Sequence, residues 1–229
     1  MSLTAILFGG IGSLAECAEQ DRLAWNGAFR AHGLAWDWSW DTYAELMRPG
    51  GDRQLAARFA AYMGVDVAAR RLADTRTRLF SARLASGVPL RAGVGETLAW
   101  AARSGMALGL VSRAEPGAVH ALLGSTARAR GGIEFDAVVT SGDACRLAPY
   151  PDGMELALER LGRGPCEAIA VVDTPAAAAA ALDAGLSVLA VPGLLAEDQV
   201  FPAGCRRVGA LSPDEVISAY GGTPSQAAE

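Results

Sequence analysis

The chain contains no lysine. All 20 of its basic residues are arginine, set against 25 acidic ones, and only two histidines, His32 and His120, occur in 229 residues. Chemistry that requires a lysine amine, as a Schiff base or as a phosphate-binding ammonium, is therefore excluded. The four cysteines, Cys17, Cys145, Cys166 and Cys205, show no C-x-x-C spacing. Neither a zinc site nor a dithiol redox pair is expected from them, and they read as reduced structural thiols. No apolar run approaches the roughly 20 residues of a bilayer span, and no basic leader opens the chain, so a cytoplasmic protein without membrane contact is expected. A net charge of −5 and a pI near 5.1 leave no basic footprint for nucleic acid.

Reactive side chains are also missing where an α/β protein often carries them. Between Met1 and Glu16 there is no ionisable side chain, yet "AILFGGIGSL" (5–14) runs an apolar strand into a glycine-rich turn. Such a turn, at a strand end, commonly holds a phosphate or a nucleophile. One reading is dinucleotide binding. Gly10-x-Gly12-x-x-Ala15 satisfies the G-x-G-x-x-A pattern, with Asp37 downstream as a ribose partner. That pattern also demands a second parallel strand soon after the first helix, for which "LAWDWSW" (34–40) is the sole candidate.

Beyond the turn the chain reads as helical. Residues 16–90 show helical apolar spacing and no β alternation. From Pro89 onward short apolar strands alternate with helices, with strands expected at 107–111, 137–139, 168–172 and 187–191. Continuous apolar strands of this kind belong to a parallel sheet covered on both faces. The alanine run 176–182 follows Pro175 at a helix first turn and reads as helix. The chain therefore divides into an α/β core, residues 1–15 and 91–229, and an inserted helical cap, residues 16–90.

The strand ends form a set: "LVSRAEP" (110–116), "LAPYPDGMELAL" (147–158) and "VVDTPAAAAAAL" (171–182), together with the glycine turn. In order and spacing they resemble the four motifs of the haloacid dehalogenase superfamily. Within it, the cap segment 24–59 adds a resemblance to the CbbY-like sugar-phosphate phosphatases, relatives of the β-phosphoglucomutases. The resemblance implies a Rossmann-like core with a parallel sheet, an aspartyl-phosphate mechanism and a Mg²⁺ cofactor. It also places the roles. Gly9 stands at the nucleophilic aspartate, Ile11 at the acid/base aspartate, Ala148 at the phosphate-screening lysine and Val172 at an acidic residue of the metal cluster. None of these substitutes can form a phosphoenzyme or move a proton. Gly12, Ser112 and Arg113 remain as candidates for holding a phosphate or other anion, and Arg53 stands in the loop where the resembling cap carries specificity. Asp173 is left as a vestigial metal ligand, too little for Mg²⁺; its alternative role is to cap the following helix together with Thr174.

The expectation is a catalytically inactive relative that binds a small phosphorylated metabolite or a protein partner, with neither Mg²⁺ nor any other cofactor. Phosphosugar hydrolysis by a rebuilt site is the enzymatic alternative; it needs a carboxylate beside Ser112, and Glu16 is the nearest one to the turn.

Overall fold

The computed structural model describes residues 2–47, 55–144 and 146–221. Six parallel strands form one sheet in the order β3-β2-β1-β4-β5-β6, with β1 at Ala5–Gly9, β2 at Ala107–Val111, β3 at Ala137–Val139, β4 at Ala168–Val172, β5 at Ser187–Ala190 and β6 at Cys205–Arg207. β1 lies at the centre, paired with β2 on one side and β4 on the other. The end of β1 is thus flanked by the ends of both neighbours, and three loops converge there.

Strand alternation divides the core in two. Ile6, Phe8, Leu110, Ile169 and Val171 point to one face and pack with α5 (Val94–Arg103), α6 (Pro116–Thr126) and α9 (Pro213–Gly221). Ala5, Leu7, Ala170 and Val172 point to the other, against α7 (Asp152–Leu161) and α8 (Pro175–Asp183). The alanines of α8 suit that side: Ala177, Ala178, Ala180 and Ala181 are all buried, and their small side chains let the helix lie close on the sheet. Its start follows from Pro175 at the first helical position and from Thr174, whose hydroxyl accepts a hydrogen bond from the Ala177 N–H at 3.3 Å.

Between β1 and α5 come α1 (Ala18–Ala31), α2 (Trp40–Met47), α3 (Leu55–Tyr62) and α4 (Ala69–Ala85). They gather around an aromatic cluster of their own in which Trp38 contacts Trp25, Phe29 and Phe59 at centroid distances of 5.4, 4.7 and 5.1 Å. "LAWDWSW" is not a strand: residues 34–39 have no regular structure and Trp40 opens α2. Trp38 is buried because Asn26 clamps its backbone, accepting from the Trp38 N–H and donating to the Trp38 carbonyl. The isolated antiparallel bridge Ala15–Leu90 joins the outgoing and returning connections. No helix among the described residues is long and apolar enough to cross a membrane.

Candidate functional site

The turn after β1 keeps a special backbone. Gly10 has φ of 123°, a region closed to residues with a Cβ. Residues Ile11–Ser13 then form a single 3₁₀ turn, locked by the Ser13 hydroxyl donating to the Gly10 carbonyl at 2.6 Å. Helix α1 begins only at Ala18. The glycine turn therefore does not present a helix N-terminus, as dinucleotide binding requires. Asp37 is exposed in the helical insertion and pairs with Arg30 at 3.6 Å, far from the role of a ribose partner.

Gly9 and Val172 are register partners across β1 and β4. A Cβ placed on Gly9 would sit 2.8 Å from Val172 Cγ1 and 3.0 Å from Met154 Cε. The space that a side chain at position 9 would need is thus taken by its neighbours. Val172, Met154, Val111 and Ala177 belong to one buried apolar cluster, with Leu147 and Ala148 packed on it. Ile11 turns into the cluster on the opposite face of the sheet. Gly9, Ile11 and Ala148 line the cleft, whereas Val172 is fully buried beside Gly9, and these two register partners are matched in shape.

Asp173 is the carboxylate that faces the turn. Its Oδ1 lies 3.1 Å from where a Gly10 Cβ would be, and its Oδ2 would collide with a Cβ on Gly12. Gly12 is therefore required for Asp173 to lie against the turn. Asp173 does not cap α8, since Thr174 does that alone. Burial at the cleft floor pushes its carboxyl up to about 6 from 3.8, against the pull of the Arg91 guanidinium and with a smaller upward push from Glu16. A carboxyl raised in this way favours the folded state fully below its ordinary value, and the contribution is lost as pH climbs through the folded value. Asp173→Asn is accordingly expected to stabilise the protein at about pH 8 by on the order of 2 kcal/mol relative to the natural chain, with the gain gone near about pH 4. Urea midpoints at the two pH values measure it.

Glu16, the carboxylate nearest the turn in sequence, is tied to backbone amides. One of its carboxylate oxygens accepts from the Ala18 N–H at 3.2 Å and the other from the Leu194 N–H at 3.0 Å. It fastens the start of α1 to the loop after β5. Arg91, which the sequence did not single out, is a second fastener. Its guanidinium donates to the carbonyls of Gly12, Val191 and Pro192 at 3.1, 2.8 and 2.6 Å, while its own N–H donates to Leu14 O.

Ser112 and Arg113 follow β2 at the edge of the same cleft. Ser112 is buried, and its hydroxyl accepts from the Ala114 N–H at 3.1 Å. Arg146 points elsewhere, pairing with Asp152 at 3.1 Å and lying over the Tyr150 ring. The loop 140–143 is tied down separately by Asp143, which accepts from the Thr140 hydroxyl and from Arg160. Those bonds, Thr140 first, hold its carboxyl at about 2. The expected specificity residue Arg53 lies outside the described residues. His120 is exposed on α6.

The insertion supplies the opposite wall of a cleft of about 890 Å³. There Asp21 of α1 is buried, forms an ion pair with Arg76 of α4 and accepts from the Tyr43 hydroxyl at 2.8 Å. The Arg76 guanidinium lies over the rings of Phe80 and Trp25, 4.7 and 5.6 Å from their centroids. Burial, then Asp21, holds the Tyr43 hydroxyl well above its ordinary value. Cys17, beside this wall, is buried, and its thiol is pushed up to about 12, chiefly by burial. Among the described residues, no three of histidine, cysteine, aspartate and glutamate gather as a metal site.

Known proteins share this architecture. A profile of the haloacid dehalogenase-like hydrolases matches residues 14–185. Protein CbbY of Rhodobacter capsulatus is 32% identical over 216 residues, which cover 93% of this chain and 95% of that protein. Protein CbbY of Cereibacter sphaeroides is 34% identical over 215 residues, covering 90% and 91%. Among solved structures, a mutant CbbY of Rhodobacter sphaeroides in complex with xylulose 1,5-bisphosphate superposes with a TM-score of 0.82 at 28% identity, over 93% of this chain and 99% of that one. β-Phosphoglucomutase of Clostridium difficile, at 17% identity and a TM-score of 0.71 over 96% and 97%, shares the fold.

Proposed function

The chain belongs to the haloacid dehalogenase-like hydrolases, and on that premise we propose that it binds a small molecule in its cleft without hydrolysing phosphoesters. The observation that carries this reading is the shape match between Gly9 and its strand partner Val172, with Met154 closing the same space. A site that had lost one group would leave a hole or a stranded partner; this one is packed as core. Among the described residues, the carboxylates beside the turn are Asp173 and Glu16, and Glu16 is held by two backbone amides. One carboxylate is a poor donor set for Mg²⁺, which demands near-octahedral oxygen ligation and gives up its waters reluctantly. We therefore assign it no Mg²⁺ site. A small ligand fits the reading better than a protein partner, since a cleft of about 890 Å³ has the size of a small-molecule site.

The test is phosphate release from a panel of sugar phosphates with Mg²⁺ present. No release above a protein-free control is expected. Steady turnover of any member, abolished by Ser112→Ala, would support the rebuilt-enzyme reading and overturn this one.

A further inference from the structure

The wall facing the insertion and the floor of the cleft differ in a way that bears on what enters it. The floor is apolar, from Val111, Leu147, Met154 and Ile11. Charge enters at few points, and its sign is lopsided. Four carboxylates, Glu16, Asp21, Glu115 and Asp173, line the cleft among the described residues, against the guanidiniums of Arg76 and Arg113. Arg76 is already neutralised by Asp21, and its planar face is covered by Phe80 and Trp25. Arg91 is turned behind the turn, donating to three backbone carbonyls. Both carboxylate oxygens of Glu16 are occupied by backbone amides. Asp173 presents its carboxylate to the cleft over Gly10 and Gly12, and the guanidiniums of Arg91 and Arg113 act on it through their charge. An anion entering over the turn would meet this carboxylate with no lysine and, among the described residues, no metal cluster to separate them, the Arg113 guanidinium being the cation of the lining on this side. A cation would meet a carboxylate set in surroundings of low dielectric, where a charged pair is strengthened.

We propose that the cleft takes an organic ammonium ligand, its cationic head on Asp173 over the glycine turn and its apolar body along the floor formed by Val111, Leu147 and Met154. The proposal rests on the reading that the cleft binds without turnover, and it narrows the ligand from any small molecule to an amine with an apolar body. It departs from the phosphorylated metabolite that the resemblance implies.

The test uses three probes that share one body: 3-phenylpropylamine, 3-phenylpropan-1-ol and 3-phenylpropyl phosphate, each titrated calorimetrically into the full-length protein at low ionic strength and neutral pH. The amine is expected to bind about ten-fold more tightly than the alcohol, and the phosphate ester more weakly than the alcohol. Asp173→Asn is expected to lower the affinity for the amine by about ten-fold. The ranking of the three probes on the natural protein stands as a test even where that variant fails to fold. Equal binding of amine and alcohol, tighter binding of the phosphate ester, or no saturable binding of the amine would overturn the proposal. Phosphate release from the third probe is followed in the same samples. Hydrolysis would sink the non-hydrolytic reading, whereas a wrong affinity ranking without hydrolysis would sink only the ammonium assignment.

Discussion

Gly9→Asp is expected to destabilise the fold by about 3–5 kcal/mol and to create no phosphatase activity. The new Cβ would lie 2.8 Å from Val172 Cγ1 and 3.0 Å from Met154 Cε, so strand or side chains must shift, which costs about 1–3 kcal/mol in a packed core. The carboxylate beyond it would be crowded against the apolar side chains of Val172, Met154 and Ala177, adding a desolvation cost of about 2 kcal/mol or more. Adding Val172→Ala should return the steric part and leave the electrostatic part. Urea unfolding with an unchanged slope and a lowered midpoint measures both variants. A Gly9→Asp protein as stable as the natural chain would mean that the floor is not packed as described.

Asp21→Ala is the second large expected effect, a loss of about 3–5 kcal/mol. Asp21 is 5% exposed and balances Arg76, whose side chain is 23% exposed and held between aromatic rings. Removing the carboxylate strands that guanidinium and deprives the Tyr43 hydroxyl of its acceptor. Asp21→Ala combined with Arg76→Met should recover most of the loss, because the uncompensated charge leaves with the arginine. A double-mutant cycle on thermal midpoints reads the coupling. Additive losses, with no recovery in the double variant, would show that the pair is not what holds α1 to α4.

Much of the fold was legible because its strands are short, apolar and buried on both faces. β2, β3 and β4 fall where the apolar runs place them, and the chain's helical stretches reappear as α1 to α9. β6 was not legible: Cys205–Arg207 is an exposed edge with two arginines and carries no apolar pattern. Trp36, Trp38 and Trp40 alternate as a strand would, but the clamp from Asn26 and the ring packing of Trp38 outweigh that pattern.

Several residues the sequence singles out, Gly9, Ile11, Gly12, Ser112, Arg113, Ala148 and Asp173, line the cleft, but their couplings were not legible. Gly9, Ile11, Ala148 and Val172 read from sequence as separate substitutions. Gly9 and Val172 are cross-strand neighbours, so a side chain at position 9 would meet Val172. Asp21 and Arg76 lie on different helices, and Arg91 reaches carbonyls up to 101 positions away. Nothing in local spacing marks such partners. Glu16 was visible as a nearby carboxylate, but only the amides of Ala18 and Leu194 reveal that it is a fastener.

The most direct test of the central claim is phosphate release from xylulose 1,5-bisphosphate, the compound bound in the CbbY structure, at high protein concentration with Mg²⁺, for the natural chain beside Ser112→Ala and Asp173→Asn. All three are expected to be indistinguishable from a protein-free control. Repeated turnover by the natural chain that either substitution abolishes would contradict it.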